Sequence, residues 1–348
     1  MDRLKKRDEA LDAVKGFAIL IVMLGHCIGL NGLADPYIYD AIAAVQMPLF
    51  MLVSGFVVGR KPLELNQKPD LGSRLQIFGK RSLSYLLPFF VWLFITHLKN
   101  PLEELKLQLF ALDRGLWFLM TLWIVTLVTM TASYLADFAA YRAEGNAFLR
   151  FVVFCGITGV CYLGFIMQAR SGNTFLSPSL TVRYLPFYMV GYLWMVYVIP
   201  FIHQKNYKNQ KLFSNGVFLL GTGIFLYLVA DYDMVVVTDA KSLLAQMAAS
   251  FAGSFVCFYG IYRFVKGKLK RVLSLIGQYT LEIYVLHFRF ARILGIGAEK
   301  VAIYSPQAVL WVLAVFLIMS LLTALCIFVI KRIGILDFLL FGKRRKKM

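Results

Sequence analysis

Ten apolar runs follow one another through the 348 residues, centred near 13–31, 38–59, 82–97, 115–135, 149–168, 184–202, 214–230, 242–262, 273–290 and 307–330. A bilayer's hydrocarbon core is ~30 Å thick, so a spanning helix needs about 20 mostly apolar residues. Most of the runs reach or approach that length; the third is the shortest, and the third and ninth carry the weakest signal. Backbone polar groups in lipid must be satisfied within the protein, and long continuous apolar runs achieve this as helices. Hydrophobic residues make up 59% of the chain and the mean hydropathy is +0.69, which excludes an ordinary soluble domain. The expectation is an all-α polytopic membrane protein, one domain over residues 1–348 with about ten transmembrane helices.

Charge sets the orientation. With the N-terminus in the cytosol, 27 of the 37 Lys and Arg residues fall in inner segments, nine fall outside and Lys15 lies within the first span. That bias places both termini in the cytosol of a multi-pass protein of the inner (plasma) membrane. Topology and anionic membrane lipid account for the net charge of +18, so nucleic acid is not an expected partner. The first apolar stretch is long and no small-residue cleavage site follows it, so it is expected to remain as the first span. The five cysteines sit singly in apolar runs and read as small core residues. Asp231, Asp233 and Asp239 lack the glycine and ligand spacing of a calcium loop and read as a solvated loop. No metal site is expected.

Ionisable residues inside the spans carry the functional signal, because charge at membrane depth is costly and faces a bundle interior or wet cavity. Lys15 and His26 are eleven positions apart, hence within ~20° of each other around a helix axis and ~16 Å apart along it. Asp12, one turn before Lys15, is its expected ion-pair partner. The bland alternative is a lysine snorkelling to the interface and a structural histidine. In the ninth run, Thr280, Tyr284 and His287 share a helical face while Glu282 points away. His287 lies ~20 Å above the start of its span, so it and His26 reach similar heights. If both line one cavity, the imidazoles should lie within roughly 10 Å, which requires the first and ninth spans to be neighbours. At the inner mouth, Lys15, Arg60, Lys61, Lys80 and Arg81 would suit a polyphosphate, or serve as topology signals and lipid contacts.

These residues resemble the acyltransferase family 3 of polytopic membrane enzymes. Lys15 and His26 match its basic residue, ten positions, then His. Met47-Pro-Leu-Phe-Met-Leu-Val-Ser-Gly-Phe56 matches its proline–aromatic–Ser-Gly segment, and Arg81 with Pro88 its inner arginine before a proline-containing helix. Leu116-Trp-Phe-Leu119 matches its Trp-aromatic-Leu motif. Gly277-Gln-Tyr-Thr-Leu-Glu-Ile-Tyr-Val-Leu-His287 matches its late Ser/Thr…Tyr…His segment. The Met-Pro-Leu-Phe run is similar to the fucose 4-O-acetylase-like branch. Gln46 and Gly115 stand where histidines are common, departures that bear on the acceptor more than on the reaction.

The resemblance implies O-acyl transfer from cytosolic acyl-CoA, chiefly acetyl-CoA, to a hydroxyl of an envelope polysaccharide or lipid-linked sugar. Acyl-CoA enters as co-substrate, with no tightly bound cofactor. His26 is the expected general base, since a neutral imidazole is suited to take a hydroxyl proton. Tyr284 and His287 would orient His26 or the acceptor, or donate to the thioester oxyanion. The acyl group passes directly or through an acyl-enzyme on His26 or Ser54. Glu282 completes the candidate catalytic set. Lys15, Arg60, Lys61, Lys80 and Arg81 would bind the donor, and Trp117, Arg183 and Tyr184 would lie on the acceptor side. The competing class is a transporter or flippase for an acyl group, amino acid or lipid-linked sugar, which could use the same His and Glu as a proton relay.

Overall fold

Asp8 starts the first helix by accepting the amides of Ala10 and Leu11, both at 3.1 Å, which satisfies two donors that a helix start leaves without partners. From there α1 runs unbroken over Glu9–Gly29, carrying Lys15 and His26 on one rod. The computed structural model describes residues 8–31, 36–60, 65–112, 115–200, 210–291 and 305–343. The elements that follow are α2 (Pro36–Val58), α3 (Leu71–Thr96), α4 (Pro101–Phe110), α5 (Trp117–Arg142), α6 (Ala147–Arg170) and α7 (Pro178–Leu193). A single π turn, Trp194–Val198, extends α7. Then come α8 (Gln210–Asp231), α9 (Ala240–Phe264), α10 (Gly267–Gly277), α11 (Thr280–His287), α12 (Pro306–Arg332) and α13 (Gly334–Phe341). All regular structure among the described residues is helical.

Among the described residues seven helices, α1, α2, α5, α6, α8, α9 and α12, are long and apolar enough to cross a membrane. The other three expected spans fall on elements of a different kind. Run 82–97 is the apolar half of α3, a helix that begins at Leu71 because Asp70 caps it. The Ser73 hydroxyl and the amides of Ser73 and Gly72 hold the Asp70 carboxyl below the usual carboxylate range. Run 184–202 falls on α7 and its π turn. Run 273–290 departs most from expectation, because it is split between α10 and α11 rather than forming one helix. At the break the amides of Gln278 and Tyr279 bond the carbonyls three residues back, Leu275 at 3.1 Å and Ile276 at 2.9 Å. Such tightened turns end a helix. The helix resumes at once: Ile283 donates to the Tyr279 carbonyl at 2.8 Å.

By contact the chain divides into two units, Met1–Ser54 with Ile199–Val329, and Gly55–Val198 with Ile330–Met348. In the first, α1 packs along α10 and also against α9 and α11. The α1–α10 crossing is backbone on backbone. A Cβ on Gly16 would lie 1.9 Å from the Leu273 carbonyl oxygen, and one on Gly277 would lie 1.8 Å from that of Asp12. Small residues allow this approach, which in lipid takes the place of a hydrophobic driving force. Ile28, Ile42 and Ala308 close the α1–α2–α12 contact. The acids Asp233 and Asp239 serve the loop before α9: Asp233 accepts the amides of Val235 and Val236, and Asp239 forms a capping box with Ser242.

In the second unit α5 packs on α3, α6 and α7, and α13 packs on α3. The Trp92 indole fixes that last contact by donating to the Leu340 carbonyl at 3.0 Å.

Candidate active site

The tight α1–α10 crossing fixes how α11 leaves the break, and α11 carries His287 to α1. The imidazoles of His26 and His287 lie with centroids 5.2 Å apart and planes tilted by 39°. Phe288 meets the His26 ring edge-on at 5.2 Å and 87°, and the Tyr284 ring lies 6.1 Å from that of His287. The first and ninth expected spans are therefore neighbours, and the rings are well inside the 10 Å limit set from helix rise.

His287 is buried, at 1% exposure, and its Nδ1–H donates to the Ile283 carbonyl at 2.8 Å. A carbonyl only accepts, so the proton on Nδ1 is fixed by its partner. Its Nε2 is buried and finds no hydrogen-bond partner among the described residues. Glu282, one helical step around, is fully buried.

Asn31, which the sequence reading did not single out, ties this arrangement together. Its amide nitrogen donates to the Cys27 carbonyl at 2.9 Å and to the Ala291 carbonyl at 3.0 Å. Those carbonyls lie one residue beyond His26 and four beyond His287, so the bond fixes α1 against the end of α11. The Asn31 Oδ1 is a second buried acceptor without a hydrogen-bond partner among the described residues.

The remaining candidates fall into separate groups. Lys15 pairs with the buried Asp12 at 2.5 Å, as its spacing predicts, so a ligand phosphate must compete with that carboxylate. Among the described residues, no hydrogen bond or ring contact joins Ser54 to the imidazole pair. In the second unit Lys80 is exposed on α3, while Arg81 and Tyr85 lie within electrostatic reach of the buried Tyr188 hydroxyl, which contacts Thr126 at 3.2 Å. Arg60 ends the turn after α2, and Lys61 lies outside the described residues. The three residues expected on the acceptor side come together: Trp117 stacks on Tyr184 at 5.3 Å and 26°, and the Arg183 guanidinium lies 6.0 Å over the Tyr184 ring.

One buried network escaped the sequence reading, which counted Arg150 among the topology charges. Arg150 is completely buried. Its Nε donates to Asp137 at 2.5 Å, and its two terminal nitrogens donate to Tyr197 at 2.5 Å and to Tyr192 at 2.9 Å. Arg74 of α3 pairs with the same Asp137.

Comparison with known proteins converges on one family. The family model for an acyltransferase domain matches residues 8–331, which includes both imidazoles and most of both units. The nodulation protein NolL of Sinorhizobium fredii (strain NBRC 101917 / NGR234) is 24% identical over 324 residues, covering 84% of this chain and 81% of NolL. No solved structure matches. The chain is a multi-pass membrane protein that belongs to acyltransferase family 3, and it is an acyltransferase.

Proposed function

We propose that this enzyme moves an acyl group, chiefly acetyl, from cytosolic acyl-CoA to a hydroxyl of an envelope polysaccharide or lipid-linked sugar. The observation that carries the reading is the pair of imidazoles 5.2 Å apart, one of them with a buried acceptor nitrogen that has no hydrogen-bond partner among the described residues. A sugar hydroxyl is a poor nucleophile at neutral pH, and a neutral imidazole within reach is the group that activates it. The site lies on α1 and α11 of a chain read as crossing the inner membrane about ten times with both termini in the cytosol.

Donor recognition falls to Lys15, Arg60, Lys61, Lys80 and Arg81, whose cations match the CoA phosphates. Trp117, Tyr184 and Arg183 supply a stacked aromatic surface with a cation beside it, which suits the apolar face and hydroxyls of a sugar. Tyr284 lies beside His287, and Glu282 is buried on the same short helix. Ser54 has no support as an acyl carrier beyond its motif.

Two measurements test the reading. Purified protein in lipid nanodiscs should turn over labelled acetyl-CoA, and envelope glycans from cells with the gene should carry an acetyl group absent from cells without it. Flipping of a labelled lipid-linked sugar with no acyl transfer would instead assign the broken α10–α11 helix to transport, a use that discontinuous helices serve elsewhere. On the donor side, Arg81→Ala should raise the acyl-CoA concentration needed by ~10- to 100-fold with little change in maximal rate, the loss of one charge-assisted phosphate contact. Lys15→Ala should do less, because Asp12 already shares that charge. Titration calorimetry with acetyl-CoA reads both, and unchanged affinities would leave these cations as topology signals.

A further inference from the structure

Within this acyl-transfer reading, we infer that His287 is the general base, accepting the acceptor's proton at Nε2, and that His26 is the donor that stabilises the thioester oxyanion. From sequence alone the roles fall the other way, with His26 as base. The hydrogen bond of Nδ1 decides it. Because Nδ1–H is committed to the Ile283 carbonyl at 2.8 Å, the neutral ring has its lone pair on Nε2. That nitrogen has no proton to give an oxyanion. It can only accept, and it is buried with nothing to accept from among the described residues.

Buried polar atoms are nearly always hydrogen-bonded, and an exception needs a reason. A bound hydroxyl supplies one. The same chemistry answers the second orphan acceptor at this end of the helix pair, Asn31 Oδ1, held in place by two bonds from its own nitrogen. Two fixed acceptors without donors among the described residues ask for a ligand rich in hydroxyl groups, and a sugar is one. Backbone carbonyls orient both side chains, as second-layer partners orient catalytic histidines elsewhere.

The step balances as follows. The acceptor oxygen bonds to the acyl carbonyl carbon while its proton passes to His287 Nε2. The C–S bond breaks with its electron pair on sulfur, and the proton carried by His287 passes to that thiolate, which leaves the ring neutral. His26, 5.2 Å away and braced by Phe288, directs an N–H at the carbonyl oxygen as its charge develops.

The test exploits what an amide can and cannot replace. Glutamine can donate a hydrogen bond but cannot act as a base. His26→Ala, His26→Gln, His287→Ala and His287→Gln are expressed in cells lacking the gene, and transfer of labelled acetyl from acetyl-CoA to their membrane glycans is timed. Acetyl-CoA affinity of each purified variant verifies folding. His26→Gln should keep at least ~10-fold more activity than His26→Ala, whereas both His287 variants should fall by ~100-fold or more. Glutamine rescue at 287 but not at 26 overturns the assignment.

An independent measurement needs no turnover. The chain has four histidines, so nitrogen-15 spectra of the histidine-labelled protein in nanodiscs are assignable by single replacements. His287 should show protonated Nδ1 and bare Nε2, and a protonated Nε2 in the neutral ring overturns the inference. If the tautomer is as stated but the wild type transfers no acyl group, it is the acyl-transfer reading that fails, and the catalytic assignment falls with it.

Discussion

A Gly277→Ala variant is expected to lose ~3 kcal/mol of stability and to transfer acyl groups ~100-fold more slowly than the wild type. The new Cβ would fall 1.8 Å from the Asp12 carbonyl oxygen, an atom of helix backbone that cannot rotate away. Carbon–oxygen contacts settle near ~3.3 Å, so α1 and α10 must part by roughly 1.5 Å. Overpacking of this kind costs ~1–3 kcal/mol, and a rigid neighbour puts it at the upper end. The functional loss has a separate cause. His26 and His287 ride on the two sides of this crossing, and a 1 Å misplacement of reacting groups can cost ~100-fold in rate. Gly164→Ala on α6 is the matched control, with nothing within 4 Å of its added Cβ. It should leave transfer unchanged and stabilise the protein by up to ~1 kcal/mol through helix propensity. Thermal unfolding in detergent together with the acetyl-transfer assay reads both variants; a Gly277→Ala protein that melts and turns over like wild type would remove the crossing from the mechanism.

The part of the fold legible in the sequence is the part governed by hydrophobic length. Continuous apolar segments such as 115–135 and 307–330 became single helices because nothing interrupts their backbone ladder. The segment 273–290 reads as equally helical by composition, yet it breaks at Gln278 and Tyr279. The cause is tertiary: Gly277 is pressed against α1, and the short α11 turns so that its face carries His287 beside His26. Gly277 opens the late Ser/Thr…Tyr…His segment, but a glycine in an apolar run does not announce whether it breaks a helix or packs against one. The start of α3 was hidden for a different reason. Residues 71–81 are too polar to read as a span, and the signal that they are helical is the cap at Asp70, a local hydrogen-bond pattern rather than a hydropathy pattern.

The site was legible where depth could be counted. Helix rise from Lys15 to His26 holds on the unbroken α1, whereas the count to His287 assumed one helix through 273–290; the rings still meet although that run is split between α10 and α11. The Asp12–Lys15 pair followed from spacing alone. What spacing could not give is the partner of each ring nitrogen, since the His287–Ile283 bond depends on a side-chain rotamer. Asn31 was missed because it sits at the very end of the first run, two residues past α1, where a polar residue looks like an ordinary loop entry; its two carbonyl partners, one of them 260 residues away, exist only in the fold. Arg150 was missed although the signal was present. Asp137 lies five residues before the end of α5 and Arg150 lies three after the start of α6, so a tight hairpin places them at one level. Reading Arg150 only as a topology charge conceals the pair.

Replacing Arg150 is expected to have the largest effect on stability of any single charge change in the second unit. Its guanidinium reaches Asp137, Tyr197 and Tyr192 within 2.9 Å from a fully buried position. Arg150→Met keeps much of the packing volume but removes the cation, which leaves Asp137 with Arg74 alone and takes the donors away from two tyrosine hydroxyls. Breaking a buried ion pair from one side costs ~3–5 kcal/mol, because the remaining charge stays desolvated. Arg74, with its side chain 28% exposed, holds back part of that loss, so ~3 kcal/mol is the expected value. Arg150→Lys should recover only a fraction. An ammonium is a point charge and cannot span a carboxylate and two hydroxyls in the plane that the guanidinium fork fits. Asp137→Leu combined with Arg150→Met should cost less than the two single changes added together, since each single change leaves a charge that the double change removes. Thermal unfolding of the four proteins in one detergent gives the coupling directly. Strict additivity would mean that the two side chains do not hold each other, and that the α5–α6 hairpin rests on Ala132, Ala136 and Phe154 of its apolar core.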